Sequence, residues 1–333
     1  MTNIQGLVVM GDYCIILRKK TAKAGGISVY AMNLARRLGK VKFSPQEKVS
    51  YFFWQFIVIP LWLIKSNCEV YHPAGLIEGV VLPILKPRAK KYITVHDLIP
   101  LKRKRSGIPG IIERAVVRLA LLSVRMYDRI YAVSHLTKID LVRRGIPEDK
   151  IKVIYQGIDE KFLSPVKGKS GETFNVGYIS RMEGYKRHEL LFDLFLDYRN
   201  PNARLYLGGS GELFDRIKEK AAKDMRVRVL GFVPDDKIVE FYDNLDVYVH
   251  PSKYEGWGLP IIEAMARGKP VIVFEDSEIP REVRGRCIVI RPSNLPRVLE
   301  ELEKNRKLLR KLSIRARRLA MIILKKGRLP PKA

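Results

Sequence analysis

The chain has 333 residues, 47% of them hydrophobic, which is enough to bury a substantial core and implies two domains rather than one. Its formal net charge of +27 calls for an anionic partner, either nucleic acid or an anionic membrane surface, unless much of the charge sits on solvated helix faces. The charge is spread through the chain, with no metal-finger spacing and no aromatic-rich basic motif, which argues against nucleic acid.

In chain order, the first apolar run, residues 7–17, contains Asp12 and is followed by Arg18, Lys19 and Lys20, so it does not have the pattern of a signal peptide. A strand is expected at 7–10, then a turn at Gly25 and Gly26, then a helix over 29–38. Between Leu38 and Glu47 there is little room for a second strand and its crossover. The most apolar stretch, 51–64, falls short of the roughly 20 residues a spanning helix needs. Gln55 and Pro60 also interrupt it, so a buried or interfacial helix is expected. Cys14, Cys68 and Cys287 show neither metal spacing nor a disulfide framework, and a reducing compartment follows.

Further strands are expected at 70–72, 92–95, 129–133, 153–155, 174–179, 204–207, 227–230, 247–250 and 271–274. Helices are expected at 111–127, 189–198, 213–223 and 237–244. On 111–127, Arg114, Arg118 and Arg125 share a face behind the basic run 102–105. That describes a basic amphipathic helix for an anionic bilayer or, alternatively, a core helix with a solvated edge. Strand–helix alternation implies parallel sheets covered on both faces, and the Pro/Gly/Lys/Ser segment 164–171 reads as a linker between two α/β halves, 1–163 and 164–333. Ligands of such sheets bind beyond the carboxyl ends of the strands, so two facing halves would form a cleft.

The stretch SKYEGWGLPIIEA, 252–264, follows the strand at 247–250. Pro260 suits a first helical turn, and Gly268 suits a helix end. Glu255 then lies in the loop and Glu263 about one turn into the helix. Gly256 and Gly258 permit close backbone approach, and a helix N-terminus favours an anion. Carboxylates do not bind phosphate but accept hydrogen bonds from hydroxyls. A phosphate-receptive turn flanked by two carboxylates fits a sugar nucleotide.

At these residues the chain resembles the retaining nucleotide-sugar glycosyltransferases of the GT-B fold, glycosyltransferase family 4. The motif EGWGLPIIEA carries the family's two glutamates, with Trp257 where Phe is usual. AGGISVY (24–30), FWQFIVIPLWL, VHDLIP (95–100), VIYQGID, SRMEGYKRHELL and LYLGGSGEL are similar to further family segments. The resemblance implies two Rossmann-like α/β domains facing across a cleft, with a C-terminal helix. It also implies hexose transfer from a nucleoside diphosphate sugar, with that sugar nucleotide as substrate and no cofactor.

By the same resemblance Glu263 holds the ribose and Glu255 meets the sugar. Arg181 and Lys186 clamp the diphosphate, with Gly25, Gly26, Gly256, Trp257, Gly258 and Leu259 beside it. His96 is expected among the catalytic groups because it follows a strand into the cleft. Asp97 is expected to hold its own turn, and Ser134 to cap a helix. No Asp-X-Asp motif stands out, so no metal is expected. Ser28, Val29, Gln156 and Arg281 depart from the family's usual residues. The acceptor is expected to be a glycan or a membrane lipid, and the location cytoplasmic, peripheral to the cytoplasmic membrane face. The alternatives are a glycoside phosphorylase of the same fold and a non-catalytic protein binding membrane or nucleic acid.

Overall fold

A computed structural model of the chain describes residues 12–18, 26–45, 49–50, 53–103, 107–166, 169 and 171–326. The strand expected at 7–10 and Gly25 lie outside them. Two compact units divide the chain, the first ending at Gln156 and the second running from Gly157 to Lys326. The boundary falls earlier than the 163/164 position read from the linker composition.

In the first unit six parallel strands line up in the order β2-β1-β3-β4-β5-β6. They are β1 Tyr13–Ile16, β2 Val41–Phe43, β3 Val70–Pro73, β4 Lys90–Val95, β5 Arg129–Ala132 and β6 Ile151–Val153. Successive strand residues face opposite sides of the sheet. Cys14, Ile16, Tyr71, Ile93, Val95 and Ile130 join one core, which receives Trp54, Ile59 and Leu63, and Val117, Ala120 and Val124. Tyr13, Ile15, Val70 and Tyr131 join the other, which receives Tyr30, Ala31 and Leu34 from the helix Gly26–Leu38.

Several expectations are corrected here. A second strand does fit after Leu38: β2 follows the helix almost at once and pairs with β1. β6 starts two residues before the strand expected at 153, because its register on β5 runs from Ile130 opposite Ile151. Cys14 and Cys68, 54 residues apart, are joined by a disulfide with their Cα atoms 6.0 Å apart. The scattered spacing had hidden this, since β1 and β3 are neighbours only in the folded sheet. The helix expected at 111–127 runs Gly107–Val124, so Arg125 lies just beyond it.

The second unit has the strands β7 Phe174–Ile179, β8 Ala203–Gly208, β9 Val227–Gly231, β10 Val247–His250, β11 Val271–Phe274 and β12 Ile288–Ile290. All pair in parallel, in the order β12-β11-β10-β7-β8-β9. The first strand of the unit thus lies centrally beside its fourth. This is the order of dinucleotide-binding sheets, and the connections leave β7 and β10 in opposite directions. A crevice opens at such a switch point, past the carboxyl ends of β7 and β10. A last helix, Arg306–Lys326, packs on the helix Leu259–Ala266 and buries Ala316 and Ala320.

Candidate active site

The loops that leave β7 and β10 carry the charged residues singled out in the sequence. After β7 the backbone runs through Ser180–Glu183 into a 3-10 turn, Gly184–Lys186, and then the helix His188–Leu196. After β10 it runs through Pro251–Gly258 into the helix Leu259–Ala266. The loops are tied together where the Lys253 amide donates to the Tyr185 carbonyl at 2.8 Å, and Asp276, just past β11, holds both: the Arg187 guanidinium forms a fork to it at 2.9 and 2.7 Å and Lys253 pairs with it at 3.2 Å.

Lys186 Nζ donates to Glu255 Oε1 at 2.6 Å, and His250 Nε2 lies 2.8 Å from the same oxygen. A carboxylate only accepts, so His250 donates through Nε2–H. Both partners of the Lys186–Glu255 pair are about one-tenth exposed. Burial alone would push the Glu255 carboxyl up, but the Lys186 charge and the His250 hydrogen bond outweigh it and hold the group well below the usual carboxylate range. Lys186 is raised in turn, because Glu255 overcomes the cost of burying its ammonium. Burial lowers His250, and burial with the Lys186 charge beside it pushes His188 down to about 3, so both stay neutral behind the pair. Among the described residues no donor reaches Glu255 Oε2.

Glu263 sits on a different partner. Tyr242 Oη donates to its Oε2 at 2.9 Å. Burial dominates and raises its carboxyl to about 7, against the Tyr242 hydrogen bond and the Lys161 charge. One motif therefore holds two unlike acids, one ionised by a buried cation and one half-protonated near neutrality. Gly258, with φ of 88°, caps this helix in the left-handed region. A Cβ there would also press on Ile261 at 3.1 Å. Gly256 and Leu259 are partly exposed, whereas Trp257 is only 3% exposed, so its ring packs inside the fold and its backbone is what a ligand could meet.

Arg181 does not join the Lys186–Glu255 pair. Its guanidinium is exposed and pairs with Glu183 at 2.7 Å. The loop that carries it is braced from β8: the Met182 amide donates to Ser210 O at 2.9 Å, and a Cβ on Gly209, whose φ is 123°, would lie 1.8 Å from Ser180 O. Only glycine fits at that contact.

In the first unit, His96 Nε2 is 2.8 Å from the Ala74 carbonyl and must donate to it, so Nδ1 accepts from the Gln156 amide at 2.8 Å. Both ring nitrogens are engaged within the unit, and burial pushes the ring down to about 4. The Ala74 carbonyl thus fixes the His96 tautomer, and Gln156, noted as a departure, is the donor that meets the nitrogen left as acceptor. Asp97 Oδ1 accepts from the Ile99 amide at 2.9 Å and Ser134 Oγ from the Thr137 amide at 3.1 Å, the turn and cap expected of them. Gly26 opens its helix and is exposed. Among the described residues, no three His, Cys, Asp or Glu side chains gather into a group that could hold a metal ion.

Residues 159–319 match the family described as Glycosyl transferases group 1, and residues 34–162 match Glycosyltransferase Family 4. The chain belongs to the family 4 glycosyltransferases. It is 33% identical over 90 residues to the O-antigen chain mannosyltransferase B of Escherichia coli, a match covering 27% of this chain and 24% of that protein. It is 26% identical to the O-antigen chain mannosyltransferase RfbU of Salmonella typhimurium, across 78% of this chain and 69% of that one. The match spans well under half the length of the first curated relatives. Among solved structures, Anabaena Alr3699/HepE in complex with UDP and glucose superposes with a TM-score of 0.71 at 16% identity, covering 94% of this chain and 97% of that one. The fold class is GT-B, with two Rossmann-like units.

Within this family 4 chain, the sequence missed His250 and Tyr242. His250 reads as the last residue of a buried strand, yet its ring supports Glu255. Tyr242 lies on the helix Ile238–Asp243 and reads as an ordinary core aromatic. The one available signal was that both are polar-tipped residues at positions an apolar pattern leaves buried.

Proposed function

We propose that the chain transfers a hexose from a nucleoside diphosphate sugar to an acceptor with retention of anomeric configuration, and does so without a metal ion. The observation that carries this reading is the buried Lys186–Glu255–His250 group past the carboxyl ends of β7 and β10, where a sheet of this order takes its nucleotide. Glycosyl transfer places negative charge on the departing diphosphate and positive charge at the anomeric carbon. Lys186 is a buried cation for the diphosphate, Arg181 an exposed one on a braced loop, and the turn from Gly256 to Leu259 offers backbone N–H groups. Glu255 stays ionised and keeps Oε2 for a hydroxyl of the transferred sugar. His250 orients that carboxylate through its other oxygen. Glu263, on the neighbouring helix, accepts from the ribose hydroxyls.

Relatives described as O-antigen chain mannosyltransferases and a neighbour holding UDP and glucose support a nucleotide-sugar donor and a glycan or lipid-linked acceptor. A basic chain that uses a lipid-linked acceptor fits an anionic membrane surface, as a peripheral protein. No helix among the described residues is long and apolar enough to cross a membrane.

Thermal shift against a panel of nucleotide sugars, followed by turnover in excess EDTA, tests the proposal. The right donor at a hundred times its Kd adds about 2.7 kcal/mol of stability. Turnover should survive chelation. No shift with any nucleotide sugar, or activity lost with EDTA and restored by magnesium or manganese, overturns it.

A further inference from the structure

Ten of the 23 exposed large hydrophobic side chains among the described residues lie on one side of the first unit, all but Ile84 on two helices. They form two stripes. A π-helical turn, Trp54–Val58, runs into the α-helix Ile59–Lys65 and leaves Phe53, Ile57, Leu61 and Ile64 exposed at helical spacing. The helix Gly107–Val124 leaves Ile108, Ile111, Ile112, Leu119 and Leu122 exposed, at spacings of three, four and seven, with Ile111 61% exposed.

Both helices bury their inner faces in the same core, on the same side of the sheet, so both outer faces look away from it together. Ile84, at 71% exposure on the short helix Leu82–Leu85, lies between them: that helix packs on Ile59–Lys65, and the turn just before it, Ile77–Gly79, packs on Gly107–Val124. The opposite face of the sheet differs. The helix that covers it, Gly26–Leu38, exposes no large hydrophobic residue and ends on Arg36 and Arg37. Apolar exposure on this scale marks an interaction surface.

Charge selects the occupant. The segment 53–65 contains no acid and ends on Lys65. The long helix contains one acid, Glu113, which Arg103 neutralises at 2.5 Å. Arg114 and Arg118 flank its apolar stripe on one edge, Arg125 continues that edge, and Arg88 is exposed beside the short helix. A second copy of the chain would bring these cations against their like in a protein already at +27. A nucleic acid would meet the cations but leave the aliphatic stripes without a use. A bilayer with anionic headgroups takes both: the stripes enter the headgroup–acyl boundary and the arginines stay at the phosphates.

We infer that the outer face made by residues 53–65 and 107–124 is an in-plane docking surface for an anionic phospholipid bilayer. The sequence pointed to arginines on one helix as the contact. The structure makes aliphatic side chains of two helices the contact and the arginines its border. The inference rests on the proposed glycosyl transfer only for its purpose, which is to bring the unit to a lipid-linked acceptor.

Co-sedimentation of the full chain with vesicles of phosphatidylcholine alone, and of phosphatidylcholine with phosphatidylglycerol, tests it at low and high salt. The wild type should pellet with the phosphatidylglycerol vesicles, less so as salt rises. Ile111→Glu with Leu119→Glu, and separately Leu61→Glu with Ile64→Glu, should each weaken that binding by at least about tenfold, since burying one aliphatic side chain alone is worth that much. Arg114→Glu with Arg118→Glu should weaken it and flatten the salt dependence. All three should keep the wild-type unfolding temperature and its shift with nucleotide, so that a failed donor site shows up separately. No binding to either vesicle, equal binding to both, or glutamate variants that bind like wild type overturns the inference. So does tighter salt-sensitive binding to DNA, or a dimer in light scattering that the glutamates dissolve while vesicles stay unbound.

Discussion

Each unit buries a polar cluster near the carboxyl ends of its strands, and the two clusters are built on opposite electrostatic principles. In the second unit a carboxylate, an ammonium and a neutral imidazole share one oxygen, and the charges survive burial because they face each other. In the first unit everything is neutral. Tyr13 Oη meets His72 Nδ1 at 2.6 Å, Thr94 Oγ1 lies 2.8 Å from both His72 Nε2 and Tyr30 Oη, and His96 is spanned by Ala74 and Gln156. Burial drives His72 to about 3. A charged cluster can answer charge that develops during a reaction. A neutral one with every polar atom engaged can hold shape and orient hydroxyl groups, but it has no charge to give.

Lys186→Ala should break this contrast most severely. It removes the proposed diphosphate cation and leaves Glu255 buried without its counter-charge. A fall in kcat of about 10²–10³-fold is expected from loss of such a group. Denaturant unfolding should show a stability loss of about 3–5 kcal/mol, the range for breaking a buried pair from one side. If Lys186→Ala unfolds like wild type, Glu255 is not held by that ion pair.

The second effect is a pH dependence carried by Glu263. Its carboxyl is raised to about 7, and in the proposed role it accepts from both ribose hydroxyls far better when ionised. Affinity for the nucleoside diphosphate should therefore fall as pH drops below about 7, approaching tenfold per unit. Glu263→Gln should bind weakly with a flat profile. In the free protein the sign is opposite: a raised carboxyl contributes stability that is fully present below its unfolded range and is lost as pH rises through about 7. Calorimetric titration and unfolding across pH read the two slopes separately.

Gln156→Ala should have the smallest effect. It frees His96 Nδ1 and costs about 1–3 kcal/mol of stability for a buried group left unsatisfied. Asparagine at this position should recover less than glutamine, because its shorter side chain must span the same gap. Since His96 sits at about 4, the wild-type kcat/KM profile should show no inflection between pH 5 and 8 from this ring. An inflection there that vanishes in His96→Ala would make it a titrating catalytic group.

Six-residue strands, buried nearly throughout in β7 and alternately in β8, were legible as β-rich runs between turns, and so was the helix opened by Gly258 and Pro260. β2 and β12 were not. Each is three residues long, lies at a sheet edge and is only partly buried, so neither shows enough alternation to stand out. Sequence placed Lys186 and Glu255 after strands but not in contact, because 69 residues separate them and only the strand order makes their loops neighbours. The Cys14–Cys68 pair escaped for the same reason. On residues 53–65 and 107–124 the sequence shows apolar residues on both faces, and nothing local says which face the sheet takes. Gln156 shows the reverse case: it stood out as a departure, and its meaning emerged once His96 was found beside it.

The two glutamates of one turn provide the most direct measurement. Nucleoside diphosphate affinity by titration calorimetry, beside steady-state kinetics, should separate Glu255→Gln from Glu263→Ala. Glu255→Gln keeps the shape but not the charge facing the anomeric centre, so kcat should fall by about 10²-fold or more while nucleotide affinity stays near wild type. Glu263→Ala removes contacts made equally in ground and transition states, so KM for the donor should rise and nucleotide binding should weaken by about 1.5–3 kcal/mol, with kcat little changed. If Glu255→Gln loses nucleotide affinity while Glu263→Ala loses only kcat, the roles are reversed. If both retain full activity, the charged cluster of the second unit is not the site of transfer.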